Sequence, residues 1–558
     1  MNTTKTKSIL VDKFGVAIQY LIIALLMPYR LVKSIFYLLW VLLYGLVKLI
    51  FYFITPRKKD FNKKIFLPKL VINFLVATLV VLGLHYFEDS LLFKEAKDIA
   101  LDWIMYFYSD YDTGGQRMAL FEIDDLIYRE WGSPATTPRA ELNTLIEKAK
   151  QGGASVIAVD IALTRLSDGC FHEPGKTPVC LPVSSDTDEE LGLYLQQLNE
   201  VGQDKFDAPI VLLIRTYRKP LDESGEVKTE AFLEKPYSFL EAYLKEQKNV
   251  FWTSTFFAVD EDRVRRRWQL ASLVCEKDQL TVVPSMQLLA AMARCEKNTR
   301  QAADTIRAFK HRLNTWANTL SCDTSNGTTI PKICQNIDCP DLTVTLPNQS
   351  GACDQMHTID LAGERETERV VYRFAPADNP IDNQLSLIDK HRAQQILSSK
   401  EAEDVDRQIV FIGVTHQNSG DFHPVPIRFQ EVAGVYIVAN AVDTLLRFGQ
   451  FQPQKVTHKI ALSIVLVVLL TLIFSVYELI TAYMFSSFVV GVVLFGASYQ
   501  ALHHGLWIDM ALAMMAIQVV QFILLFVEKL WEGVQCAWFG EIKINFPGTA
   551  TRIQYKQE

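Results

Sequence analysis

The chain has 558 residues, enough for several soluble domains, yet 49% of them are hydrophobic, which puts membrane segments ahead of an all-soluble architecture. Its formal charge of -7 balances 56 basic against 63 acidic residues, so no global positive field draws nucleic acid and no nucleic-acid partner is expected.

Residues 1–65 are expected to form a cytoplasmic amino terminus. Two apolar runs within residues 14–55 are interrupted by Pro28, Arg30, Lys33 and Lys48. A transmembrane hairpin would carry Arg30 and Lys33 to the outer surface, whereas helices lying in the interface keep them inside. Either arrangement leaves Met1 in the cytoplasm. No small-x-small site follows the first run, so a cleavable signal peptide is not expected.

Residues 70–87, 460–477, 479–502 and 510–527 meet or approach the ~18–20 uncharged residues needed to cross hydrocarbon. They predict one membrane helix over 66–87 and three over 457–527. Arg57, Lys58, Lys59, Lys63, Lys64 and Lys69 crowd the start of the first span and assign that side to the cytoplasm. The chain beyond residue 87 is then outside, and three later crossings return it to a short cytoplasmic tail, 528–558, that includes Lys529. Lys455 and Lys459 fall on the outer flank, where snorkelling to the interface accommodates them.

Between these ends, residues 88–456 read as a soluble α/β domain. Strand-like runs at 119–123, 155–159, 209–214 and 408–413 alternate with helical stretches, giving a mixed, largely parallel sheet with flanking helices. Residues 139–151 form an amphipathic helix closed by Gly152 and Gly153, consistent with a βαβ crossover. Residues 119–123 and 155–159 are read as adjacent parallel strands.

Eight of the nine cysteines, Cys170, Cys180, Cys275, Cys295, Cys322, Cys334, Cys339 and Cys353, lie in this block, and Cys536 lies beyond the last apolar stretch. An even set confined to one soluble block suggests disulfides and export. The absence of a CxxC pair argues against a zinc cage. Residues 322–353, rich in Asn, Thr, Asp, Gly and Pro, read as an insertion too polar to bury a core, stapled by its own four cysteines in one of three pairings.

Asp124 and Asp125 follow the first strand and Asp160 ends the second, so carboxylates gather at the carboxyl edge of the sheet, where open α/β sheets hold ligands. Pro138 and Arg139 open the intervening helix, placing Arg139 to pair with a carboxylate or an anionic ligand. A buried structural ion pair is the bland alternative. Asp421 and His423, with His416, offer a weak metal pattern, and structural hydrogen bonding is preferred, so no metal is assigned. Gly413 and Gly420 suit a strand-end turn, and Gly434 permits close approach before a helix over 435–446. Arg263, Arg265, Arg266 and Arg267, after Asp260 and Asp262, read as a charged turn and strand entry with local pairing.

The ordered segments EIDD, a Gly followed by TPR, GGASVIAVDIAL, DEDRVRRR, YRFAP, VFIGVTHQNSGDFHPVP and GVYIVANAVDTLL, followed by three closely spaced apolar helices with GLWID between the last two, resemble the type-2 CHASE domain over about residues 92–451. This is an extracytoplasmic sensory domain of bacterial membrane receptors. The resemblance implies a multi-pass protein of the bacterial inner membrane with a periplasmic domain that binds a ligand or protein; the residues themselves offer Asp124, Asp125, Pro138, Arg139, Asp160, Asp421 and His423 as candidate ligand-binding residues. Many relatives carry an output domain after the last helix. Here about thirty residues follow Val527, so signalling through a cytoplasmic or membrane partner protein is expected.

No P-loop, HExxH or GxSxG motif occurs, so no catalytic residue, cofactor or enzymatic activity is expected. A structural subunit of an inner-membrane assembly is the alternative, since apolar segments beyond one anchor offer surfaces for a homo-oligomer. A hydrolase using Asp124, Asp125 and Asp160 with Mg or Ca ranks below both. A transporter is disfavoured by spans almost free of internal charge.

Overall fold

A computed structural model describes residues 63–538, apart from internal segments of which the longest are 109–117, 165–185, 199–207, 374–387 and 503–509. The amino-terminal apolar runs, residues 539–558 of the carboxy-terminal tail, Lys455, Cys170 and Cys180 lie outside the described residues.

Six strands form the central sheet: β1 (Met118–Ile123), β2 (Val156–Asp160), β3 (Ile210–Ile214), β4 (Val250–Thr253), β5 (Ile388–Arg392) and β6 (Ile409–Val414). Their order is β5-β1-β6-β2-β3-β4, and every pairing is parallel. β2 and β6 are buried along almost their whole length, as expected for a parallel sheet covered on both faces. The antiparallel pairs lie outside this sheet, among them the ribbon Phe257–Val259 with Arg265–Trp268 and the ribbon Phe422–Pro424 with Glu431–Ala433. One expectation is corrected here: β1 and β2 are not neighbours, because β6 lies between them.

Among the described residues the helices longer than four residues are, in chain order, α1 (Lys63–Tyr86), α2 (Leu91–Tyr108), α3 (Asp125–Glu130), α4 (Arg139–Gln151), α5 (Asp186–Gln197), α6 (Met286–Cys295), α7 (Thr299–Ala317), α8 (Ala393–Ser398), α9 (Gly434–Phe448), α10 (Val456–Val476), α11 (Leu479–Leu502) and α12 (Met510–Trp538). α4 shows why the sequence was readable. Leu142, Leu145, Ile146 and Ala149 repeat at helical spacing and are buried, Lys148 and Lys150 fall in the last turn, and Gly152 caps it.

Side chains alternate across the sheet, so each face has its own core. Ala119, Phe121, Ile157, Val159, Val211 and Ile412 face α4, α5 and α8. Leu120, Ala158, Leu212 and Phe411 face the other way and join α2, α6, α7 and α9. This second core also takes in Leu494, Phe495, Tyr499 and Leu502 of α11, so the domain packs directly onto the helix bundle.

α1, α10 and α11 contain stretches long and apolar enough to cross a membrane: Lys69–Tyr86, Thr457–Val476 and Thr481–Leu502. In α12 the corresponding apolar stretch, Ala511–Val527, is shorter. α1 packs against α10 and α12, with Ala77, Val81, Leu470, Phe474, Ala516 and Val520 in the seam and a hydrogen bond from Asn73 to Ser475 (3.1 Å). Small residues let such helices approach closely, and a buried polar pair sets their register.

The cysteine-rich insertion departs from expectation. Only Cys334–Cys339 closes within it. Cys322 bonds Cys275 on the strand Ala271–Glu276, and Cys353 bonds Cys295 at the end of α6, with Cα separations of 5.9 and 5.4 Å. Nor is the segment too polar for a core, since Ile330, Ile333, Val344 and Leu346 are buried in the second core. The disulfides fasten the insertion to its host, and its described apolar residues Ile330, Ile333, Leu342, Val344 and Leu346 are buried.

Candidate functional site

The carboxyl edge of the sheet brings some candidates together and separates others. In register, Arg392 of β5 faces Glu122 of β1, and Gly413 of β6 lies between Glu122 and Asp160 of β2, making one row across the edge. Gly413 is inside its strand, not at a turn. A Cβ there would lie 2.6 Å from Cγ2 of Val435, so glycine lets the first turn of α9 rest on the sheet. Gly434 does the same for a carboxylate: a Cβ on it would overlap the Asp421 side chain, and its N–H donates to the Asp421 carbonyl (2.9 Å). Asp421 therefore sits against the amino terminus of α9, where the helix dipole favours negative charge.

Asp160 is 7% exposed, and its carboxyl group makes no hydrogen bond with the described residues. Burial, and then the charge of Asp421, push its carboxyl up to about 8. His423 Nε2 lies 2.9 Å from Asp421 Oδ1, and the Tyr436 hydroxyl donates to Glu122 at 3.4 Å. Asp160, Asp421, Glu122, His423, Gly413 and Gly434 thus surround the start of α9. α6 also begins at this edge, since the Met286 N–H donates to the carbonyl of Ser254 just past β4 (2.8 Å).

Other candidates are engaged in local structure. Asp124 caps α3, accepting from the N–H groups of Leu126 and Ile127 at 3.1 Å. Asp125 accepts from the Gln417 N–H (3.2 Å), joining the loop after β1 to the loop after β6. There His416 stacks on Tyr128 with ring centroids 3.8 Å apart, and burial holds its pKa down. Pro138 precedes α4 without a side-chain cap. Arg139 is buried on the opposite face and donates through Nε to Asp188 of α5 (3.3 Å), packed on the Phe239 ring. It pairs with a carboxylate, as one reading expected, but not with the Asp160 group. Among the described residues no set of three His, Cys, Asp or Glu side chains converges as a metal group.

The basic run forms a second constellation. Its expected local pairing is present: Arg266 meets Asp260 and Asp262, and Arg267 meets Asp260. The larger part is long-range. Arg266 donates twice to Asp102 of α2, at 2.9 and 2.6 Å to Oδ2, and Arg267 donates to both oxygens of Asp98 at 2.6 and 2.7 Å. Arg369 also pairs with Asp98. All of these arginines and both α2 carboxylates are buried. Burial raises Asp102 to about 6, outweighing the Arg266 pairing that lowers it. Nearby, Arg373 of the YRFAP segment pairs with Asp443 of α9 at 3.1 Å, linking this network's neighbourhood to the helix that starts at Asp421.

A third cluster joins the domain end of the bundle. Glu88 accepts from Lys97 of α2 (2.6 Å) and Lys459 of α10 (3.0 Å), while His85 of α1 bonds Ser463 of α10 (2.8 Å). Burial works against the Glu88 charge, but the two lysines prevail and hold its carboxyl down at about 2. Lys459 is thus ion-paired, not merely snorkelling.

Reading the sequence alone missed Asp98, Asp102, Arg369, Glu122, Asp188 and Glu88. A signal existed for the first two: they are four residues apart and share a helix face with Leu101 and Met105, an acidic pair where apolar residues belong.

No curated protein and no solved structure matches the chain in the comparisons made. A family model does: the CHASE2 domain, over residues 75–476, which takes in the sheet, the buried ion-pair network, the second half of α1 and all of α10. The chain therefore belongs to the CHASE2 domain family, a family of extracytoplasmic sensory domains.

Proposed function

We propose that this protein is a multi-pass receptor of the bacterial inner membrane. Its periplasmic domain takes a ligand at the carboxyl edge of the sheet, around Asp160, Asp421 and His423, and it acts on a partner protein without catalysing a reaction itself. The observation that carries this reading is the buried ion-pair network between α2 and the arginine ribbon. α2 follows α1 after a short turn and also packs against α11 and α12, so a displacement of the domain against the bundle is felt at Asp98 and Asp102. Packed helices with two discrete arrangements carry such displacements over long distances. α9 supplies the link to the edge, since it begins at Gly434 beside Asp421 and carries Asp443, the partner of Arg373.

The test is thermal unfolding of the intact protein in nanodiscs, titrated with fractionated small-molecule extract of bacterial periplasm. A fraction that raises the midpoint for the wild type and not for Asp160→Asn supports the site. An equal shift in both places the ligand elsewhere, and no shift with any fraction sets the receptor reading aside. The mass of the complex extracted with its native partners separates the structural alternative, because a closed ring of fixed stoichiometry is what a scaffold subunit predicts.

A further inference from the structure

α2 has two faces. Asp98, Leu101, Asp102, Ile104 and Met105 are buried against the domain, while Leu91, Ile99, Trp103 and Tyr106 remain 40–55% exposed in a stripe at helical spacing. Trp103 and Tyr106 meet edge to face, their centroids 6.2 Å apart. In sequence the stripe follows exposed apolar residues of α1, Leu79, Leu82 and Tyr86, the last of them five positions before Leu91. The Glu88 cluster holds the start of α2 beside α10, and α11 and α12 pack against α2 at the domain end of the bundle. The amino-terminal end of the stripe, at Leu91 close to Glu88, therefore lies at the rim of the bundle's apolar belt.

We propose that α2 lies in the interface of the outer leaflet, with Leu91, Ile99, Trp103 and Tyr106 set into the boundary between headgroups and acyl chains. Trp and Tyr favour that depth because one end of each ring system is apolar and the other polar. Glu95, exposed within the same stripe, fits a headgroup layer better than a seam with a second copy, where two such carboxylates would be desolvated together. A few side chains over four turns are also far short of the roughly 800 Å² per partner of a stable protein interface. Since the opposite face of α2 holds the buried arginines, lipid packing at the stripe bears directly on the element that joins sensor to bundle. The inference rests on the membrane reading above.

The test places a photoreactive phenylalanine analogue at position 103 and, separately, at position 79 on α1, in full-length protein in nanodiscs of defined phospholipid. Lipid adducts at both positions, read by mass spectrometry, are the expected result. Lipid at 79 with protein adducts or none at 103 overturns the interfacial helix and leaves the membrane reading standing; no lipid at either position overturns both. The native side chain gives a second readout. With lipids brominated just below the headgroup, Trp103→Phe loses a measurable share of the tryptophan quenching, and identical fractional quenching in the two proteins overturns the proposal.

Discussion

Asp160 shows how far one side chain's surroundings govern its chemistry. In the unfolded chain its carboxyl ionises near pH 4, whereas in the fold it holds its proton up to about 8. Between those values the native state binds the extra proton, so this residue's contribution to stability declines as pH rises from about 4 to 8 and is level above. Asp160→Asn removes that dependence. The variant's advantage over wild type in thermal unfolding is expected to be negligible near pH 4 and to grow to several degrees by pH 8. Glu88 behaves oppositely: its depressed carboxyl contributes stability above about pH 4.5 that is lost toward pH 2. Glu88→Gln is therefore destabilising at pH 7, with a deficit that closes on acidification. At Gly413 the constraint is steric. Gly413→Ala, meeting Val435, is expected to cost about 1–3 kcal/mol, and Val435→Ala in the same chain should restore much of it, as measured by chemical unfolding.

Among the elements, α2 and the arginine ribbon behave as one unit. Arg266→Met leaves Asp102 buried without its bidentate partner, a loss on the order of 3–5 kcal/mol, whereas Arg266→Met combined with Asp102→Leu should recover a large part. Hydrogen exchange in α2 should rise in the single variant and fall back in the double. This unit was only half legible. The ribbon's local pairing follows from Asp260 and Asp262 standing beside the arginines, but Asp102 is 164 positions from Arg266, and periodicity carries no information about contacts at that range. α4 and the strands were readable for the converse reason: burial on one face of a helix, or on both faces of a strand, imposes a local pattern that survives in the sequence.

At the scale of the whole molecule, the even cysteine set pointed to an exported block but not to its wiring. Short loops close easily, which made an internally stapled insertion the simpler expectation. Two of the three described bonds instead reach back to Cys275 and Cys295. Replacing Cys275 and Cys322 together with serine is expected to lower stability by about 2–4 kcal/mol, and peptide mapping without reductant should recover the 275–322, 295–353 and 334–339 linkages. Sheet order was the other quantity out of reach, since a buried strand reads the same at any interior position.

That order sets a timetable for the nascent chain. The slot between β1 and β2 belongs to a strand that begins at Ile409, so nearly three hundred residues must follow β1 through the export channel before the middle of the sheet can close. Until then two hydrogen-bonding edges stand open in the compartment where the chain emerges. A truncated product ending before Ile409 should bind holdase chaperones and resist refolding, while one ending after Phe451 should not.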